Sequence, residues 1–476
     1  MKLKIKKPEK NKKSNKSLDR ILYIFIGLFA ILIINIFRFI TVDSNNIVIN
    51  SYNPRIEQLE QNIIRGKILD RNKNVLAETI IDKDKEYRIY PYENVFAHIV
   101  GYCQRGKTGI EALMNYDLLK SNVGFIEKTL NAISRNKTIG NNVITTLDAD
   151  LQKKAHELLG NREGAIVAIE PSTGKILCMV SKPDFNPNYI EANWDKINND
   201  DNSSLYNNAT QGLYPPGSTF KIVTSLAFMI QNLDWEDYFY FCKGEDIFGH
   251  KTMHCYDKTS HGRENLARAF TMSCNTAFSD IGTKLDIGDY RTVADRLLFN
   301  QLLPYPLESK ASKFVLNENS TTEDIADTAI GQGKTEITPL HNALIVSSIA
   351  NGGMMMKPYM IDRVENINGK IIKKNLPQLY KEVMSVEYSN KLIDFMKLVV
   401  SEGTGKTSSV EGISVAGKTG SAENSGENPH AWYVGFAPAD NPQIAVSIIV
   451  ENSGTSTKYA APIAKELFDL YINNKK

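Results

Sequence analysis

Hydrophobic and polar positions divide this chain into regions of different character. Ile21 to Phe37, ILYIFIGLFAILIINIF, is apolar apart from Asn35, and Arg38 can snorkel to extend the run to Ile40. That is about the ~20 residues a helix needs to cross a bilayer. From Gly164 the pattern sharpens into GAIVAIE-PSTG-KILCMVS, two apolar runs around a Pro/Gly turn, which predicts a hairpin. A second hairpin is predicted by AWYVGFA-PADNP-QIAVSIIVE, and AAPIAKELFDLYI after it by its spacing is a helix. Further helical signals are TTLDADLQKKAHELLG, with Asp148 as N-cap, and the nearly all-apolar KIVTSLAFMIQ after Pro215-Pro216-Gly217. Residues 43–150 are mixed and polar with short strand-like runs such as GKILD and YRIYPY; mostly helical and loop segments separate the two hairpins. The economical arrangement puts both hairpins in one antiparallel sheet with helices packed on it, an α+β fold.

Charge settles how the apolar run is read. The net charge of +2 hides a tail, residues 1–20, with eight Lys and one Arg against Glu9 and Asp19. No basic patch follows it, which argues against nucleic acid. Lysines on one side only of an apolar span, with no small-x-small cleavage site in RFITVDSNN, predict an uncleaved anchor. The tail would be cytoplasmic and everything after about Val42 outside. Five cysteines in 476 residues make no disulfide framework. Cys242 and Cys255 can pair, or join His254 and His261 at a metal; reduced, unligated cysteines are the plainer reading, and no metal or cofactor is assigned.

Two stretches, GYCQRGKT (101–108) and GISVAGKT (412–419), satisfy the P-loop pattern G-x-x-x-x-G-K-[ST]. A P-loop must lie between a strand and a helix so that backbone amides cradle phosphate, and GISVAGKT leads instead toward the strand at Trp432. ATP is also scarce outside a cell. Neither match is read as a nucleotide site.

Different chemistry is carried by YPPGSTFKIVTSLAFMIQ. Ser218 falls in the first turn of the helix and Lys221 at i+3, so the two share a face. A lysine on a buried apolar helix is costly unless it has work or a partner. Desolvation lowers its pKa and makes a neutral amine available to take a serine proton. Fifty-five residues on, TMSCNTAF supplies Ser273, which can relay a proton, and Asn275, which can hold an amide. Then VAGKTGSAEN supplies Lys418, Thr419, Gly420 and Ser421. Each motif alone is weak; S-x-x-K, S-x-N and K-T-G in that order form the set of active-site serine penicillin-recognising enzymes.

On these residues the chain resembles a class B penicillin-binding protein, a monofunctional peptidoglycan DD-transpeptidase of the short type, over roughly residues 50–470. RGKILDRNKNVLA (65–77) is similar to the family's N-terminal signature, and FAHIVGYCQRGKTGIEALMNYDLL to its pedestal region; AIGQGKTEITPLHNA (329–343) and VVSEGTGKTSSVEGISVAGKTGSAE (399–423) match the transpeptidase core. The resemblance implies a cytoplasmic tail (1–20), an anchor (21–40), a pedestal domain (41–150) and a transpeptidase domain (151–476) with a helical subdomain. It implies Ser218 as nucleophile, Lys221 as base, Ser273 and Lys418 as proton-handling groups, and Asn275, Thr419, Gly420 and Ser421 as substrate contacts. Stem peptides and β-lactams would be the ligands, and a SEDS-type membrane glycan polymerase the partner. Ser421 stands where the family commonly has Thr, which bears on β-lactam affinity. Gln332, between two glycines, reads as structural; Trp432 and Tyr433 read as strand core.

Three other readings compete. A β-lactamase or β-lactam sensor shares the serine set, but KFVLN (313–317) has Lys313 where the deacylating glutamate of an E-x-x-L-N segment would stand. A catalytically dead scaffold is disfavoured by the intact motifs, and an exported ATPase by the failed P-loop context.

Overall fold

The computed structural model describes residues 16–38, 60–83, 85–122, 137–200, 203–424 and 427–473. The tail up to residue 15, residues 39–40 of the expected anchor, and 41–59 lie outside the described residues. The chain forms two compact units, one up to Gln58 and one from Leu59 onward. In the first, the apolar run is one helix, Lys16–Arg38. Its stretch Asp19–Arg38 is long and apolar enough to cross a membrane, and none of it is buried.

In the second unit the two predicted hairpins are present and joined. Gly164–Glu170 pairs antiparallel with Lys175–Lys182, and Glu427–Ala437 with Ile444–Val450. Ala445 lies opposite Ile169, which makes one sheet of both, and Ala416–Asn424 adds as the edge strand beside Glu427–Ala437. Alternation along these strands feeds two cores. Val167, Ile169, Trp432, Val434 and Ile449 face one side with Ile222, Leu226 and Leu344. Ile166, Ala168, Tyr433, Val446 and Ile448 face the other, against Leu151 and Leu159 of Ala149–Leu159 and Ile463, Leu467 and Phe468 of Ala460–Asn473. The expected cap is made: Asp148 accepts from the Leu151 amide at 3.2 Å. Pro339–Ala350, mostly apolar with no polar face, is buried along its whole length.

A second sheet of six strands uses Ile68–Leu69, Val75–Asp82, Lys85–Ile89 and Asn142–Thr145, and takes Ile361–Glu365 and Ile371–Lys374 from much further along the chain. Beside it Glu111, fully buried, is gripped by Arg65 (2.6 Å) and Arg88 (2.7 Å). One region differs from the expected helices and loops. Residues 240–264 fold into two small ladders, Tyr240–Cys242 with Gly262–Glu264 and Glu245–Phe248 with Lys251–His254. Their strands are three and four residues long and mostly polar, too short to carry a readable period.

Candidate active site

Pro215-Pro216-Gly217 ends the preceding chain, and Gly217–Phe220 forms a single 3₁₀ turn before the α-helix begins at Lys221. Ser218 therefore sits one turn ahead of the α-helix, slightly earlier than the spacing predicts. In 3₁₀ geometry i and i+3 eclipse, so Ser218 and Lys221 still share a face. Gly217 has φ +52°, and a Cβ there would lie 2.7 Å from the Ser421 carbonyl oxygen. The Ser218 turn and the edge strand Ala416–Asn424 thus approach to backbone contact, which only glycine permits. Gly420 adds to this: its missing side chain leaves room for Thr219 and Trp432. Gly331, at φ +77°, lies against the Gly217 carbonyl, and its own carbonyl accepts the Gly217 amide at 2.9 Å. Gln332 follows in that loop and lines the cleft.

Ser273 lies between the helices Leu266–Thr271 and Asn275–Thr283 with φ +56°, a left-handed conformation that costs a non-glycine residue of order 1 kcal/mol. That turn aims both its carbonyl and its hydroxyl at the two lysines. Lys221 Nζ donates to Ser273 O (2.7 Å), Asn275 Oδ1 (2.8 Å) and, more weakly, Ser273 Oγ (3.3 Å). Lys418 Nζ donates to Ser273 Oγ (2.9 Å) and Thr419 O (3.0 Å). Asn275 Nδ2 is in turn held by the His254 carbonyl at 2.9 Å.

Both lysines are wholly buried. Burial pushes the Lys221 amine down to about 8. Burial, and then the charge of Lys221, hold the Lys418 amine well below the usual lysine range. Two amines converging on one hydroxyl, with no salt-bridged carboxylate among the described residues, cannot both stay ammonium cheaply. The pair is poised to exchange a proton through Ser273.

Above them opens a cleft of about 470 Å³, whose lining includes Ser218, Ser273, Asn275, Thr419, Gly420 and Ser421. All eight residues expected from the sequence come together here, six on its wall and the two lysines beneath. Sequence reading missed Thr404, whose hydroxyl bonds that of Thr419; a threonine in EGTGKT carries no signal of its own. Trp432 and Tyr433 are strand core: Trp432 Nε1 donates to Pro215 O at 3.0 Å and Tyr433 Oη bonds Ser408 Oγ at 2.8 Å. The two P-loop matches have no P-loop setting. Lys418 lies on a strand, and Lys107 pairs with Glu60 at 3.0 Å ahead of a five-residue helix. Lys313 is engaged with Glu336 at 2.7 Å.

Comparison with known proteins agrees with this geometry. Residues 164–469 match the penicillin binding protein transpeptidase domain, and residues 65–143 the penicillin binding protein A dimerisation domain. The chain is 30% identical to the peptidoglycan D,D-transpeptidase PbpA of Mycolicibacterium smegmatis, over 95% of this chain and 98% of that one. Among solved structures it is similar to penicillin-binding protein A of M. tuberculosis as the imipenem acyl-enzyme (TM-score 0.80, 28% identity, 87% of this chain and 99% of that one). The penicillin G acyl-enzyme of the same protein gives a TM-score of 0.78 at 28% identity, covering 86% and 99%. With the serine turn, the two buried lysines and the K-T-G edge strand in one cleft, and the transpeptidase family matching well over half its length, this chain belongs to the class B penicillin-binding proteins.

Proposed function

We propose that this chain is a peptidoglycan D,D-transpeptidase that cross-links stem peptides through an acyl-enzyme on Ser218 and is acylated at the same atom by β-lactams. The observation that carries the reading is the convergence of two fully buried lysines on Ser273 Oγ, beside the turn that bears Ser218. The donor peptide lies along Ala416–Asn424, whose outer edge no other strand covers among the described residues. Ser218 Oγ attacks the penultimate D-alanine carbonyl carbon and its proton passes to neutral Lys221. No hydrogen bond joins Ser218 Oγ to Lys221 Nζ among the described residues; catalytic contacts of this kind tighten when substrate arrives. The tetrahedral oxyanion is received by the amides of Ser218 and Ser421, by analogy with the family. The C–N bond breaks and D-alanine leaves with a proton delivered through Ser273 from the lysine pair. An amine of a neighbouring stem peptide then attacks the ester, gives up its proton by the same route, and frees Ser218 as the new amide forms. Asn275 holds the substrate amide, and the hydroxyls of Thr419 and Ser421 hold its carboxylate. A β-lactam opens its ring amide on Ser218 but loses no leaving group, so the ester persists.

The helix Lys16–Arg38 supports membrane anchoring with the basic tail in the cytoplasm and the remainder outside. In that setting residues 41–150 serve as pedestal and 151–476 as the catalytic domain, and a SEDS-type glycan polymerase is the expected membrane partner. The test is intact mass of the full chain with and without benzylpenicillin, beside Ser218→Ala. One stable adduct per chain, absent in the variant, is expected. An adduct on Ser218→Ala, or penicillin consumed while the protein mass returns to its starting value, overturns the reading, the latter in favour of a β-lactamase.

A further inference from the structure

One end of the six-stranded sheet carries apolar side chains left uncovered among the described residues. The topology gathers them there. Ile68–Leu69 and Asn142–Thr145 run parallel, so both begin at that end. Val75–Asp82 runs antiparallel to the first, with Ala77 opposite Ile68, and its last residues and the turn to Lys85–Ile89 project past it. Ile361–Glu365 runs antiparallel to the second, with Glu365 opposite Asn142, and its turn to Ile371–Lys374 projects the same way. On the first tip Ile80, Ile81 (56% exposed) and Tyr87 face solvent; on the second, Ile367, Ile371 (50% exposed) and Ile372 do. A single surface isoleucine needs no explanation, but five at one end of one sheet mark a contact.

Charge tells what the contact is with. At the first tip DKDKE (82–86) balances once Lys137, paired with Glu86 at 2.6 Å, is included. At the second, NINGKIIKK (366–374) has three lysines and no acid. The carboxylates at its base are taken, Asp362 by Arg363 at 2.6 Å and Glu365 by Arg363 and Lys73 at 2.7 and 3.3 Å. Lys370 and Lys374 join no ion pair among the described residues. Lysines alone would protect the free edge of Ile371–Lys374 from another strand. Isoleucines among them do the opposite, and together they suit a surface both apolar and anionic. Protein interfaces are depleted in lysine and enriched in aromatic residues and arginine; lysine beside aliphatic side chains is what lies in a lipid headgroup layer. The path of the chain agrees. After the helix Lys16–Arg38 it reaches this unit at Ile63–Ile64, and Arg65 O then accepts from Thr79 Oγ1, next to Ile80. The polypeptide thus comes from its membrane-spanning segment to the sheet at the end that bears these groups.

We infer that this end of the sheet, through Ile80, Ile81, Ile367 and Ile371 with Lys370 and Lys374, lies in the headgroup layer of a membrane containing anionic phospholipid. The isoleucines enter the boundary between headgroups and acyl chains, and the two lysines reach up to lipid phosphates. Separate turns need no groove to receive them, because a lipid surface conforms to each. The contact gives the second unit an attachment besides the spanning helix, which limits how the cleft can turn over the membrane. The inference rests on the reading of Lys16–Arg38 as a membrane anchor.

The experiment places the full chain in vesicles of phosphatidylglycerol and phosphatidylcholine with no other protein present. An environment-sensitive fluorophore is attached at Ile371→Cys, at Ile81→Cys and, outside this sheet, at the exposed Leu302→Cys, each in a Cys103→Ser chain, since the other cysteines are buried. An unchanged urea midpoint checks that each variant folds. Lipids carrying a nitroxide near the headgroup should quench the labels at 371 and 81 and leave that at 302 bright. Lys370→Gln and Lys374→Gln should each lower the quenched-to-unquenched ratio at 371 about fivefold, and vesicles of phosphatidylcholine alone should lower it further. No quenching at 371 and 81, or equal quenching at 302, overturns the lipid contact. Labels shielded only after membrane proteins are added overturn it in favour of a protein partner. Quenching that neither the lysine variants nor neutral vesicles weaken overturns the part given to the lysines. Carbonate extraction tests the anchor separately: a chain it strips does not span the bilayer, while quenching measured before extraction still decides the lipid contact.

Discussion

If Lys221 is the base that takes the Ser218 proton, acylation must follow its ionisation, and burial fixes where that falls. With the amine at about 8, half of it is neutral at pH 8, about one part in eleven at pH 7 and about one in a hundred at pH 6. The second-order rate of penicillin acylation should therefore rise about tenfold per pH unit at the acid end, and roughly fiftyfold from pH 6 to pH 8, before levelling. An ordinary exposed lysine would still be climbing past pH 10. The same shift affects stability. Between about pH 8 and 10.5 the unfolded lysine carries a proton that the folded one has lost, so stability rises with pH across that window. Below about pH 8 both forms are protonated and the whole cost of the buried ammonium is present, roughly 3 kcal/mol at ~1.4 kcal/mol per unit. Lys221→Met should abolish acylation and also flatten the rise in urea midpoint between pH 8 and 10. Stopped-flow acylation and urea titration on the two proteins measure both effects. A rate flat from pH 6 to 9, or stability curves that stay parallel for the unaltered chain and the Lys221→Met variant, would refute the assignment of Lys221 as a desolvated base.

The other expectations are local. Gly331→Ala places a Cβ 2.0 Å from the Gly217 carbonyl oxygen; it should displace the Ser218 turn and slow acylation by about a hundredfold or more. Gly333→Ala, whose nearest neighbour is the Asp327 Cβ at 3.4 Å, should cost only the strain of its φ of +75°, about 1 kcal/mol in urea unfolding, with acylation near normal. Thr404→Val removes the hydroxyl that fixes Thr419, and loss of about 1 kcal/mol should slow acylation roughly fivefold. Glu111→Gln leaves Arg65 and Arg88 buried without their carboxylate, and should lower unfolding free energy by about 3–5 kcal/mol while Ser218 still acylates.

How much of this was legible in the sequence depended on the length over which each signal repeats. The hairpins 164–182 and 427–450 are runs of seven residues or more joined by Pro- and Gly-containing turns, and it is the turns that make such apolar runs read as strands. The ladders at 240–264 are the opposite case. With three or four residues each, they are too short for a local window to show their period. The candidate site residues were legible for a third reason, that S-x-x-K, S-x-N and K-T-G stand in a fixed order along the chain. Their geometry was not: nothing in TMSCNTAF announces that Ser273 is left-handed, because the conformation is imposed by what surrounds it.

That imposed turn explains why motifs from three distant parts of the chain must fold together before either lysine is tolerable. Lys221 and Lys418 arrive on a helix and a strand that belong to different layers, each buried where water cannot reach it. An isolated ammonium in either place would cost more than one domain's margin of stability easily bears. Ser273, in a conformation that costs about 1 kcal/mol, turns its carbonyl to one amine and its hydroxyl to both. The strained residue thus partners both amines and joins them through one hydroxyl, the link the proposed proton transfer uses. A substitution that relaxes its backbone, such as Ser273→Gly, keeps the carbonyl but removes that link. It should leave the fold standing while separating the two amines' titrations, and acylation would then lose its dependence on Lys418.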